Sequence, residues 1–101
     1  MNISNNISSI TAHQTMLNNS AHNVANVNTD KFIPSSTVIA DNNGSVSASS
    51  RKADDTHSQR SQTDLAKEFT DQIITEKATS VNVSSIKTQD EMFGTLLDIK
   101  A

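Results

Sequence analysis

The sequence predicts a mainly α-helical chain. Its N- and C-terminal helices pair as an antiparallel, coiled-coil-like hairpin, with a short β-hairpin or irregular segment in the middle. Three observations predict this. Apolar residues recur at heptad spacing through the first 25 or so positions, Thr63 to about Asp98 contains no Pro and only one Gly, and the segment between them is polar and rich in turn signals. The divisions are 1–28 for the N-terminal helix, 29–62 for a turn, a small β-hairpin and a flexible linker, and 63–101 for the long C-terminal helix.

In the first element, Ile3, Ile7, Ile10, Gln14, Leu17, Ala21 and Val24 fall at alternating spacings of four and three. That is the a/d seam of a coiled coil with one polar member. The other positions are mostly Ser, Asn, Thr, Gln and His, which are mediocre helix formers. Such a helix is marginal alone in water, so its seam needs a partner.

The next element breaks the helix. Asn26-Val27-Asn28-Thr29-Asp30 is rich in residues that bond their own backbone and favour turns. Pro34 closes off helical continuation and pushes Ile33 toward extended geometry. Thr37-Val38-Ile39-Ala40 reads as a short strand, Asp41-Asn42-Asn43-Gly44 as a turn, and Ser45-Val46-Ser47-Ala48 as the returning strand. A lone hairpin of this kind is marginally stable. Ser49 to Gln62 is charged, Ser-rich and nearly free of large apolar residues, as a linker is.

The last element carries the strongest pattern. Thr63 or Ser61 is placed to cap its start, with Asp64 in the first turn favouring the helix dipole. The helix would be about 50 Å long, and such a length suggests a coiled coil or a packed helical array. Its apolar residues form two stripes. Leu65, Phe69, Val83, Ile86, Phe93 and Leu97 fit one a/d seam, read as the packing surface for the N-terminal helix. Ile74, Ala78, Val81 and Met92 lie on roughly the opposite side, read as a contact between subunits. Periodicity alone serves a polymer contact and a helix buried in a small bundle equally well.

Composition bounds the function. Of 101 residues, 34% are apolar and 3% aromatic, and Ser, Thr and Asn together number 37. A chain this small buries a limited share of its surface even with good hydrophobic content, so this one is expected to gain burial from neighbours. The net charge of −3 offers no broad basic surface for nucleic acid or anionic lipid. There is no Cys, hence no disulfide and no thiolate metal site. No apolar run approaches the roughly 20 residues of a membrane span, and Met1 to Ile10 lacks the basic and apolar regions of a Sec-type signal.

Catalytic and cofactor chemistry finds no foothold. His13 and His22 lie on different helical faces, and neither has a carboxylate three or four residues on to complete a metal pair. Asp54-Asp55 beside Arg51-Lys52 reads as a solvated charge cluster. Two glycines fifty positions apart build no phosphate loop, and no Ser sits in a nucleophile elbow. No enzyme, cofactor or metal is expected.

Two segments carry a resemblance. Asn23-Val24-Ala25-Asn26-Val27-Asn28-Thr29-Asp30-Lys31-Phe32 resembles the N-terminal signature of flagellar rod and hook proteins, an Asn-aliphatic-Ala-Asn-x-x-Thr-x-Gly-aromatic run after the first helix. On that match Asn23, Ala25, Asn26, Thr29 and Phe32 are the motif positions. The stretches Thr63–Ile74 and Ile86–Asp98 resemble the opening and the end of the family's C-terminal helix. Lys31 stands in place of the family's Gly and Asp30 in place of its usual Pro, so the left-handed turn of the signature is in question here. The middle is far shorter than the outer domain of hook and distal-rod members.

The resemblance implies a structural subunit of the basal-body rod, exported by the flagellar type III apparatus without a cleaved signal. It would be ordered on assembly, polymerising with other axial proteins and with itself into a helical tube. The alternatives are an accessory or junction protein of the rod, and a cytosolic helical binding module in flagellar export.

Overall fold

A computed structural model describes residues 3–100. Helix α1 spans Ile3–Ala25, strand β1 Ser35–Asn42, strand β2 Ser45–Lys52 and helix α2 Leu65–Lys100. The fold is mainly α, with two terminal helices and one antiparallel β-hairpin between them. The molecule is a rod of 68 × 24 × 14 Å.

The helices run antiparallel. Ser20 Oγ donates to the Glu68 carbonyl at one end, and Asn82 Nδ2 donates to Ser9 Oγ toward the other. The hairpin lies along a second side of α1. Its root is bonded to Asn23 through Ser35, its middle to Asn19 through Thr37 and Ser50, and the Val46 amide near its tip donates to Ser8 Oγ. The strands pack on α1 and not on α2. Helix α1 is thus the middle layer, and α2 and the hairpin each depend on it.

The hairpin register pairs Ser35 with Lys52 and Asn42 with Ser45, leaving Asn43-Gly44 as a two-residue loop. Both loop residues have positive φ, 54° and 83°. This is the type I′ turn whose twist matches the flanking strands, and Asn-Gly is the pair that adopts it most readily. Both strands are longer than the sequence suggests, and β2 takes in Ser49 to Lys52 of the expected linker. Ladder partners Ser35 to Val38 hold those four residues whatever their own low strand propensity. The rest of the expected linker is stitched down as well: the Ala53 amide donates to the Pro34 carbonyl, Lys31 to Gln59, and Gln62 to Phe32.

The cap of α2 is Asp64. Its Oδ1 accepts from the amides of Ala66 and Lys67 at 3.0 and 3.3 Å. Thr63 and Ser61, the two expected caps, do not serve: Thr63 turns inward and donates to the Asn23 carbonyl, and Ser61 Oγ donates to Thr63 Oγ1.

The seam between the helices departs from expectation. Leu65, Phe69, Val83, Phe93 and Leu97 do not pack against α1; all are exposed, and of that stripe only Ile86 is half-buried. The contact line on α2 instead runs Glu68, Gln72, Thr75, Thr79, Asn82, Ile86, Gln89, which keeps heptad spacing with mainly polar residues. It meets Ser9, Ser20 and Asn23 of α1. The reason is crowding around α1: a helix flanked on two sides needs small side chains there, and Ser and Asn combine small size with bonds to both neighbours. Ala12 is the single buried apolar residue among those described.

Candidate assembly interface

Asn23 anchors the root of the rod and is 1% exposed. Its Nδ2 donates to the Ser35 carbonyl at 2.7 Å and to Glu68 Oε1 at 3.0 Å, and its Oδ1 accepts from the Ser35 amide at 3.0 Å. One side chain therefore joins α1, β1 and α2. Glu68 is equally buried, and its second carboxyl oxygen has no protein partner among the described residues. Lys67 Nζ lies 3.9 Å from Glu68 Oε1 and closer, at 2.9 Å, to Asp71.

The signature after α1 forms a turn. Asn26 Nδ2 donates to the His22 carbonyl and closes the helix, while Thr29 Oγ1 donates to Asn26 Oδ1. The Phe32 amide donates to the Thr29 carbonyl across the turn Thr29–Phe32. Lys31, third in that turn, has φ 61° while Asp30 stays at negative φ, which is a type II turn. The left-handed residue is therefore retained with Lys in the place where Gly is easiest. Phe32 meets the His22 ring edge-on at 5.6 Å between centroids. Ala25, the last residue of α1, is exposed.

Along the rod, the α1 stripe of Ile3, Ile10, Leu17 and Val24 is half-buried and Ile7 is exposed. At about 100° per residue this stripe sits roughly a quarter turn from the α2 seam, on the flank opposite the hairpin. Leu65, Phe69 and Val83 sit a similar angle from their own seam, on the same side of the molecule. The two stripes do not clasp each other; they lie on one side of the molecule, half-buried on α1 and exposed on α2, where Glu76 and Lys87 are interspersed. Ile74, Val81 and Met92 are exposed on the other flank of α2, with Ala78 half-buried.

Beyond α1, α2 continues as a free overhang of roughly 10 residues, or about 15 Å. Met92, Phe93, Leu96, Leu97 and Ile99 there are 60–76% exposed. Ile73, Leu96 and Ile99 belong to the exposed apolar surface although heptad counting passed over them; Ile73 and Ile99 lie off the polar 4-3 line, and Leu96 lies on its continuation past α1. Among the described residues no cluster of three His, Asp or Glu is placed to hold a metal ion. No described helix is long and apolar enough to cross a membrane.

This arrangement, a long C-terminal helix with open apolar flanks, coincides with a family match. Residues 56–99 match the C-terminal region of flagellar basal body rod FlgEFG proteins. Over that segment, 44 of the 101 residues, the chain is similar to the flagellar rod/hook family. The match spans the Asp64 cap, the seam and almost the whole overhang. The rod/hook family is a structural component of the flagellum and not a family of enzymes. No curated protein matches the chain.

Proposed function

We propose that the chain is a structural subunit of the flagellar basal-body rod, assembling through its terminal helices into a helical tube with other axial proteins and with copies of itself. The observation that carries this reading is the inversion of the helix pair: polar residues fill the interior seam, while Leu65, Phe69, Val83 and the α1 stripe line one open side of the molecule. Large apolar side chains left exposed along one side in this way mark an interaction site. Four polar atoms of the seam, on Asn6, Glu68, Thr75 and Gln89, lack protein partners among the described residues. Each such group costs about 1–3 kcal/mol, which leaves the isolated subunit weak and favours ordering on assembly. Export by the flagellar type III apparatus without a cleaved signal belongs to the same reading.

Purified basal bodies test it. The chain is expected in that fraction, and a purely cytoplasmic pool sinks the proposal. Phe69→Glu, on the open face, and Val81→Glu or Met92→Glu, on the other flank, should lower incorporation while leaving secretion intact; normal assembly of all three removes both flanks as interfaces. The 18-residue span from Ser35 to Lys52, a bare hairpin between the helices, favours a second reading as a junction component of low copy number. Stoichiometry in the same preparations separates the two readings.

A further inference from the structure

The two ends of the rod differ in a way that the assembly reading does not require. At the overhang, residues 90–100 carry Asp90, Glu91 and Asp98 against one basic residue, Lys100, around Phe93, Leu96 and Leu97. At the opposite end, the root presents a cleft of about 230 Å³ lined by His22, Lys31, Phe32, Ile33, Ser35 and Lys52. Neither the Lys31 nor the Lys52 side chain has an ion-pair partner among the described residues, whereas neighbouring Arg51 is engaged by Asp54 at 3.4 Å. The overhang is therefore net acidic and apolar, and the lining of the cleft is basic with an aromatic side chain, Phe32.

The seam sharpens the contrast. Its heptad line is polar but for Ile86 from Glu68 to Gln89, where α1 covers it, and turns apolar at Phe93 and Leu96, where α1 has ended. The apolar residues sit where a different partner has to cover them.

We propose that the overhang of one subunit docks head-to-tail into the root cleft of a second copy. Phe93 and Leu97 then cover Phe32 and Ile33, and Asp90, Glu91 and Asp98 approach Lys31 and Lys52. Because the two surfaces lie at opposite ends of a 68 Å rod, the contact is heterologous and propagates instead of closing into a dimer. The proposal rests on the polymer reading and names the longitudinal contact within it.

The chain contains no Cys, so paired single-cysteine variants of the full chain test the docking directly. Lys52→Cys and Leu97→Cys chains, mixed under mild oxidation, are expected to cross-link to each other and poorly to themselves. The double variant should give a ladder of oligomers. Adding Glu91→Lys to the Leu97→Cys chain should lower the yield about threefold, and Lys31→Glu on the other chain should restore it, as complementary charges require. Leu97→Cys linking to itself as efficiently as to Lys52→Cys overturns the proposal, as does absence of cross-linking in chains whose circular dichroism matches the wild type. If cross-links are absent while the chain is found in basal bodies, the docking fails and the rod reading stands. If the chain is absent from basal bodies, the rod reading fails.

Discussion

Asn23 combines the tasks of a strand neighbour and a helix-to-helix bridge. Replacing it with Ala removes three side-chain hydrogen bonds and strands the buried Glu68 carboxyl, a loss of about 3 kcal/mol. That is a large fraction of the stability of a small domain, and urea denaturation followed by circular dichroism is expected to show it. Lys31→Gly should act in the opposite direction, by about 1 kcal/mol, because a β-carbon at positive φ is strained. Asp55 adds a pH dependence. The His57 amide, then Gln62, hold its carboxyl below the usual carboxylate range. A depressed pKa in the folded state stabilises the loop above the ordinary carboxylate pKa, and the effect is lost as pH falls through the lowered value. Amide exchange at His57 should quicken over that acid window and stay unchanged in Asp55→Asn. The motif made Asn23 visible in the sequence. Its bonds were not legible, because an Asn in a helix gives no sign of which three elements will converge on it.

At the scale of elements, local chemistry was legible and lateral placement was not. Asn43-Gly44 announced the hairpin, and the absence of Pro and near-absence of Gly announced α2. The partners of the strands beyond Ala48 were hidden, because Ser-rich β2 is held by its ladder and not by propensity. The seam was hidden for a different reason. Hydrophobic periodicity marks the face that is buried somewhere, and here that face is open in the single chain while polar residues fill the interior. Gly44→Ala is expected to weaken the hairpin by about 1 kcal/mol, read as lost protection at the β1 amides, since its φ of 83° suits only glycine well. Gly94→Ala should instead strengthen the overhang by about 1 kcal/mol, read as added helicity. A β-carbon there meets nothing within 4 Å.

At the scale of the whole molecule, a 101-residue chain with one buried apolar side chain among those described has little to hold it together alone. The isolated subunit should melt broadly and exchange its amides quickly, and its midpoint should rise with protein concentration as association contributes. A sharp, concentration-independent transition at high temperature would contradict the coupling of order to assembly. Composition pointed to the scarcity of buried apolar side chains, since Ser, Thr and Asn cannot supply a core. It did not foretell that the rod would be electrostatically unlike at its two ends, because that contrast arises only when the turn and the close of β2 are folded next to each other.

The separation of the hairpin from α2 also sets an order of events. Contacts of α1 with the hairpin join residues at most 38 apart in the hydrogen bonds seen here, whereas those of α1 with α2 reach from Ser9 to Asn82, 73 residues away. Closing the longer loops costs more chain entropy. Residues 3–52 are therefore expected to order first and α2 last, an order that pulse-labelled amide exchange checks. The same helix would then be the first to leave, which makes the element that bears the family match the one to test for exchange between a chain's own α1 and a neighbour's.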